Sequence, residues 1–298
     1  MKWLARKLLD SAMLPYVASV ENALSNSLRP EPAGSRVPGK ADQILLSLRY
    51  QELMRQRAPL PSFDDVGFRA YSQTDEDGIL LYIFSLIGMG NRMAVEVCAN
   101  SGIECNSANL IINHGWRGLL FDGDEKAIQQ GRRHYAASRD TWIFPPTFVH
   151  AWVERENIND LIRDNGFGSD IDLLTIDIDG MDYWMWEAID CCTPRVVVVE
   201  CQCMFAPDAA VSVPYQRDFV YSGDHYCGAS LGAFVKLGRK KGYRFVGLNS
   251  RRFNAFFVHD SVGRDVLPAV PAVDAAVRWP QESKKALELA MRHPWVDV

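Results

Sequence analysis

From about residue 70 onward, apolar runs too short to be buried helices alternate with longer stretches patterned at helical spacing. Ser72-Gln-Thr-Asp-Glu-Asp77 offers capping side chains ahead of the apolar run Ile79 to Ile87. Strands are predicted over residues 93–98, 117–122, 147–152, 171–178 and 195–201, the fourth being the most continuous. Helices are predicted between them, over 106–113, 125–134, 158–165 and 183–189. Apolar strands separated by helices of this length imply an α/β fold with a doubly wound, mostly parallel sheet covered on both faces. Ligands of such sheets bind at the carboxyl ends of the strands.

The pattern changes near its end. After a predicted helix over 230–241 come two apolar runs, 243–248 and 252–259, joined by only a few residues. A parallel return needs a crossover of a dozen or more residues, so these two strands close the sheet as an antiparallel hairpin. A nicotinamide-binding domain would normally finish with parallel strands.

The first 60 residues differ in character. Met1 to Asp10 is basic and apolar, but Asp10 and Pro15 interrupt it before the ~18 apolar residues of a membrane span. An amphipathic helix there would pack on its own domain or on a partner chain. Alternatively, Trp3, Leu4 and Leu8 beside Lys2, Arg6 and Lys7 would lie on an anionic membrane. The prolines and glycines between Arg29 and Gly39 read as a linker. The division expected is a helical extension with linker over 1–60, a catalytic domain over 61–265 and a helical tail over 266–298.

Charge and cysteine usage narrow the function. The 298 residues carry a net charge of −5, no field for gripping a phosphate backbone, so nucleic acid is not an expected partner. The cysteines number seven and include Cys191-Cys192 and Cys201-Gln-Cys203. An odd count placed in strands and beside helices points to reduced thiols in a cytoplasmic setting. A zinc site is the alternative, but the paired Cys-x-x-Cys spacing is absent.

The candidate chemistry lies at the predicted strand ends. Ala94-Val-Glu-Val-Cys-Ala-Asn-Ser-Gly102 breaks from an apolar run into small residues that let bare backbone approach a ligand. Asp122 ends the next strand, near the ~20-residue interval of a ribose-binding carboxylate. The competing reading makes Glu96 a cap and Asp122 an exposed strand end. Trp152 either covers a nucleobase or belongs to the core. Asp177, Asp179 and Asp182 surround Gly180, and Glu200 ends the neighbouring strand. Carboxylates crowded in this way need a proton, a cation or a substrate donor. Either magnesium is held by Asp177, Asp179 and Glu200, or one of these acids contacts substrate while the others cap the next helix. The segment Met204 to Cys227 is long enough to be a lid. His225, with a neighbouring carboxylate such as Asp224 to hold its ring, is its candidate general base, alongside Asp179 and Glu200.

Three motifs together resemble the FkbM-type family of S-adenosylmethionine-dependent methyltransferases, which have the class I, Rossmann-like methyltransferase fold. They are Val95-Glu-Val-Cys-Ala-Asn-Ser-Gly102, Phe121-Asp122 and Leu173-Leu-Thr-Ile-Asp-Ile-Asp-Gly-Met-Asp182. The chain departs from the family pattern at Cys98, where glycine is usual, at Asp122 in place of Glu, and at Gly123 in place of Pro. The resemblance covers about residues 70 to 260. It implies that Glu96 sits under the methionine amino group, with Asn100, Ser101 and Gly102 around the carboxylate and ribose side. Asp122 would take the ribose hydroxyls, and Trp152 and Asp177 would complete the cofactor's surroundings. It further implies O-methylation of a saccharide or related hydroxyl acceptor in glycan or natural-product biosynthesis. A catalytically silent scaffold subunit of a glycan-assembly complex and an NAD-dependent oxidoreductase are the alternatives.

Overall fold

The computed structural model describes residues 37–275 and 280–298. The basic, apolar stretch Met1 to Asp10 lies outside the described residues. One compact unit runs from Pro38 to Val298.

Helix α1 (Lys40–Arg55), within the part assigned by sequence to the extension, belongs to this unit. Its buried residues, Gln43 and Tyr50, lie two turns apart on one face. Tyr50 meets Tyr82 edge-on at 4.9 Å, and Gln43 exchanges 3.0 Å hydrogen bonds with Asn109. The short α2 (Phe63–Val66) leads to α3 (Glu76–Ile87), whose buried side chains include Ile79, Leu80, Ile83 and Phe84.

The sheet then builds by alternation. Strands β1 (Met93–Val97), β2 (Arg117–Asp122), β3 (Thr147–His150), β4 (Asp170–Ile176) and β5 (Thr193–Glu200) are separated by four helices. These are α4 (Ala108–His114), α5 (Glu125–Ala137), α6 (Ile158–Asp164) and α7 (Asp182–Ala188). A two-residue strand β6 (Val211–Ser212) precedes α8 (Leu231–Lys241), β7 (Tyr243–Leu248) and β8 (Asn254–His259). The seven-stranded order is β3-β2-β1-β4-β5-β8-β7. Pairing is parallel from β3 through β5, and antiparallel where β8 joins β5 and β7 joins β8. This is the doubly wound, mostly parallel sheet closed by an antiparallel hairpin that the sequence predicted, with the strand order of the class I methyltransferase fold.

Both faces are covered. Val95, Val97, Phe121, Trp186, Phe234 and Phe257 form the core on one side. Ala94, Leu120, Phe256 and α3 form it on the other. The strand alternation that sends Phe256 and Phe257 to opposite layers is the two-residue period of a sheet. Chain order reverses between β1 and β4, which puts the topological switch point at their carboxyl ends.

Two departures from the sequence reading bear on the site. Strand β4 stops at Ile176, two residues early, because Asp179 (φ 51°) and Gly180 (φ 153°) turn the chain out of the sheet. The carboxyl-terminal part, expected as a helical tail, contains α9 (Ala272–Ala275), α10 (Pro280–Ala290) and also β9 (Val296–Asp297), which pairs antiparallel with β6. Trp295 packs edge-on against Phe205 at 4.7 Å, and Tyr226 donates to the Pro294 carbonyl at 2.6 Å. The end of the chain therefore pins the long loop. All seven cysteines are free thiols. Among the described residues no helix is long and apolar enough to cross a membrane.

Candidate functional site

A cavity of about 920 Å³ opens at the switch point. Its wall includes Glu96, Asn100, Asp122 and Trp152 and its floor Asp177, Asp179 and Glu200, so seven of the ten candidate residues meet there. Ser101, Gly102 and His225 are not among the lining residues.

The loop after β1 explains the first two. Gly102 (φ 64°) faces inward, where a Cβ would stand 2.7 Å from Leu120, and its carbonyl accepts from the Tyr135 hydroxyl at 2.5 Å. Ser101 packs its backbone against Gly131 of α5. These two residues shape the turn from behind. Cys98 adopts φ 61° and Asn100 φ 52°. The left-handed conformation at Cys98 makes a cysteine there costlier than a glycine, by about 1–2 kcal/mol. Burial first, then the surrounding acids, push the Cys98 thiol far above its ordinary range, so it stays protonated.

Glu96 is both a cap and a wall residue. Its oxygens accept from the backbone N–H groups of Asn106 and Ser107, each at 2.8 Å, and from the Ser107 hydroxyl. It thereby satisfies the amino end of α4, and unused lone pairs remain for a ligand in the cavity. Asp122 is aimed by two backbone donors: Asn100 N–H reaches Oδ2 at 2.7 Å and Asp124 N–H reaches Oδ1 at 2.8 Å. Trp152 is 53% exposed, which places it on the rim and not in the core. Its indole covers Gly123 and donates to the Arg217 carbonyl at 2.7 Å. A side chain at residue 123 would crowd this ring, with a Cβ only 3.0 Å from it.

The floor concentrates negative charge. One oxygen from each of Asp177, Asp179 and Glu200 lies within 4.8 Å of the others, although Asp177 and Asp179 follow the end of the strand. The turn that β4 makes after Ile176 brings both acids to one side. Asp182 holds that turn, accepting from Ile178 N–H at 2.9 Å and Gly180 N–H at 3.1 Å. Burial, partly offset by these bonds, raises its pKa to about 6. Burial and then the neighbouring acids push Asp177 and Glu200 well above the carboxylate range. Burial also raises Asp179.

The segment 204–227 covers this floor. Phe219 lies against Gly180, where a Cβ would be 2.2 Å from its ring. Tyr215 and Arg217 join the lining, Tyr215 bonded to Glu156 at 2.5 Å and Arg217 paired with Glu154. His225 (φ 64°) is exposed, and Asp224, expected to hold its ring, is paired instead with His293 at 2.8 Å.

Among the lining residues that sequence reasoning did not single out are Gln73 and Asn254. Gln73 belongs to the Ser72–Asp77 motif, whose buried acids fix the loop that presents it. Asp77 Oδ2 accepts from the N–H groups of Ala70, Tyr71 and Ser72 at 2.6–2.8 Å. Glu76 accepts from Thr74, Asn249 and Asn254. Asn254 is the polar residue that opens strand β8, ahead of the apolar run Ala255 to Val258, and it pairs across the sheet with Glu200. That polar opening was its signal.

No family model matches the chain, and no curated protein matches it. Among solved structures it is similar to an O-methyltransferase from Bacillus cereus in complex with S-adenosylhomocysteine, at TM-score 0.40 and 12% identity, over 80% of this chain and 95% of that one. It is also similar to the glycopeptide N-methyltransferase MtfA, complexed with S-adenosylhomocysteine, at TM-score 0.39 and 10% identity, over 65% and 92%. A third is the magnesium protoporphyrin IX methyltransferase of Synechocystis PCC 6803 with bound S-adenosylmethionine, at TM-score 0.36 and 12% identity, over 80% and 91%.

Proposed function

We propose that this protein is an S-adenosylmethionine-dependent methyltransferase of FkbM type whose acceptor is a hydroxyl group, on a saccharide or a related small molecule. The observation that carries this reading is the orientation of Asp122. A carboxylate held by two backbone N–H groups at the switch point, on the wall of a cavity of about 920 Å³, suits a vicinal diol. The rest of the wall fits the same ligand. Glu96 offers negative charge for the methionine amino group, and Trp152 offers an exposed aromatic face for the adenine. When bound, the sulfonium supplies an electrophilic methyl group.

The chain's own residues then have three tasks. The wall positions the cofactor and the floor positions the acceptor, and alignment alone accounts for much of such a rate enhancement. Phe219 and Tyr215 exclude water above the floor. Asp179, the most exposed acid of the floor, would take the acceptor proton. His225 would have to act from outside the lining.

Titration calorimetry with S-adenosylmethionine, S-adenosylhomocysteine and NAD tests the reading. Binding of the first two is expected. Asp122→Ala should weaken it about ten- to a hundredfold, the equivalent of losing hydrogen bonds to a charged acceptor. Binding of NAD instead, or an Asp122→Ala protein that folds and binds as before, would overturn the assignment. A folded protein that binds none of the three would be a silent, methyltransferase-like subunit.

A further inference from the structure

We propose that Asp177, Asp179, Glu200 and the side-chain amide oxygen of Asn254 form a binding site for a hard divalent cation of the magnesium, manganese or calcium class. The role of that cation rests on the methyltransferase reading; the site itself does not. Three acids alone would not justify it, since their charge can be met by protons. The independent observation is Asn254. It is only 2% exposed and lines the cavity, and its Oδ1 has no hydrogen-bond partner.

The orientation of that amide is fixed. Asn254 Nδ2 donates to Glu76 Oε1 at 2.9 Å, and the same oxygen accepts from Asn249 Nδ2 at 2.8 Å. Glu76 is surrounded by donors, its Oε1 also accepting from the Thr74 hydroxyl at 2.7 Å and its Oε2 from the Thr74 N–H at 3.0 Å, so it acts as an acceptor toward Asn254. The NH₂ group of Asn254 must therefore face Glu76, leaving the oxygen for the other side. A buried carbonyl oxygen left without a donor is costly, by about 1–3 kcal/mol, unless a ligand supplies one.

The donor set identifies the ligand. Asn254 lies opposite Glu200 in the antiparallel pair β5–β8, so their side chains leave the sheet on the same face. Three carboxylate oxygens lie within 4.8 Å of one another, and the Asn254 amide lines the same cavity. A primary ammonium group brings only three N–H donors and one positive charge. A hard cation accepts six or more oxygens and brings two charges, and it leaves positions open for an acceptor's hydroxyls. A hydroxyl held there would ionise more readily.

The probe is manganese alone, followed by electron paramagnetic resonance and calorimetry on the full chain without cofactor. One ion per chain is expected, displaced by magnesium or calcium, with a melting temperature that rises with cation concentration. Asp179→Asn and Glu200→Gln should each weaken binding at least about tenfold, and Asn254→Ala should weaken it by about that factor. Asparagine tolerates the left-handed conformation of residue 179, so Asp179→Asn should remain folded even if Asn254→Ala does not.

No binding at millimolar manganese, or binding unaffected by Asp179→Asn and Glu200→Gln, would overturn the proposal. Manganese bound by a protein that ignores S-adenosylhomocysteine would retain the cation site and remove the methyltransferase reading. The reverse result would remove the cation site alone.

Discussion

At the scale of single residues, the site is built from backbone conformations that most side chains avoid. Cys98, Asn100 and Asp179 all lie in the left-handed region and all line the cavity. Strain gathered in this way marks positions that the surrounding structure overdetermines. Asparagine and aspartate tolerate the conformation, whereas a cysteine bears it at higher cost. Cys98→Gly should relieve about 1–2 kcal/mol of strain, against about 0.5–1 kcal/mol from the looser unfolded chain. A net gain of up to about 1.5 kcal/mol would raise the melting temperature by a few degrees, with cofactor affinity retained. A scanning-calorimetry melting point several degrees below wild type would show instead that the packing of the thiol outweighs its strain.

At the scale of elements, the turn from β4 into α7 decides where the acids point. Gly180 is indispensable to it because of both its φ of 153° and the Phe219 ring lying where a Cβ would go. Gly180→Ala should displace Phe219 and loosen the segment 204–227, at a stability cost of about 1–3 kcal/mol. Faster tryptic cleavage after Arg217 is the expected readout. An unchanged rate in a folded variant would mean that the segment is held elsewhere, through β6 and β9. The strands and helices of the sheet, and the closing hairpin, were legible because each carries its own hydrophobic period. The β6–β9 pair was not, since two-residue strands have no period. Nor was the docking of α1, which buries only Gln43 and Tyr50. Within the site, the acids were legible as acids. Their convergence depended on a turn conformation, and the role of Asn254 on a cross-strand partner 54 positions away (254 minus 200).

At the scale of the whole molecule, the candidate site and the stability of the fold share the loop that ends at α3. Glu76 and Asp77 adjoin in sequence but titrate in opposite directions. Hydrogen bonds hold Glu76 low, whereas burial raises Asp77 to about 6 despite four donors on its Oδ2. The other oxygen of Asp77 is buried without a partner, and that is where a proton would sit. The folded chain therefore holds a proton on Asp77 between its unfolded value of 3.8 and about 6, where the unfolded chain has lost it. Stability from this group is fully present below the unfolded value and is lost as pH rises through 6, by up to about 3 kcal/mol. Asp77→Asn places an NH₂ group where that proton would be and removes the dependence. Urea unfolding of both proteins at about pH 4 and about pH 7 isolates the effect, because contributions common to the two cancel. Wild type should lose stability relative to the variant on going to the higher pH. A difference that does not change with pH would mean that Asp77 is ionised in the fold throughout. Gln73 would then be held at the cavity mouth by a permanently charged carboxylate.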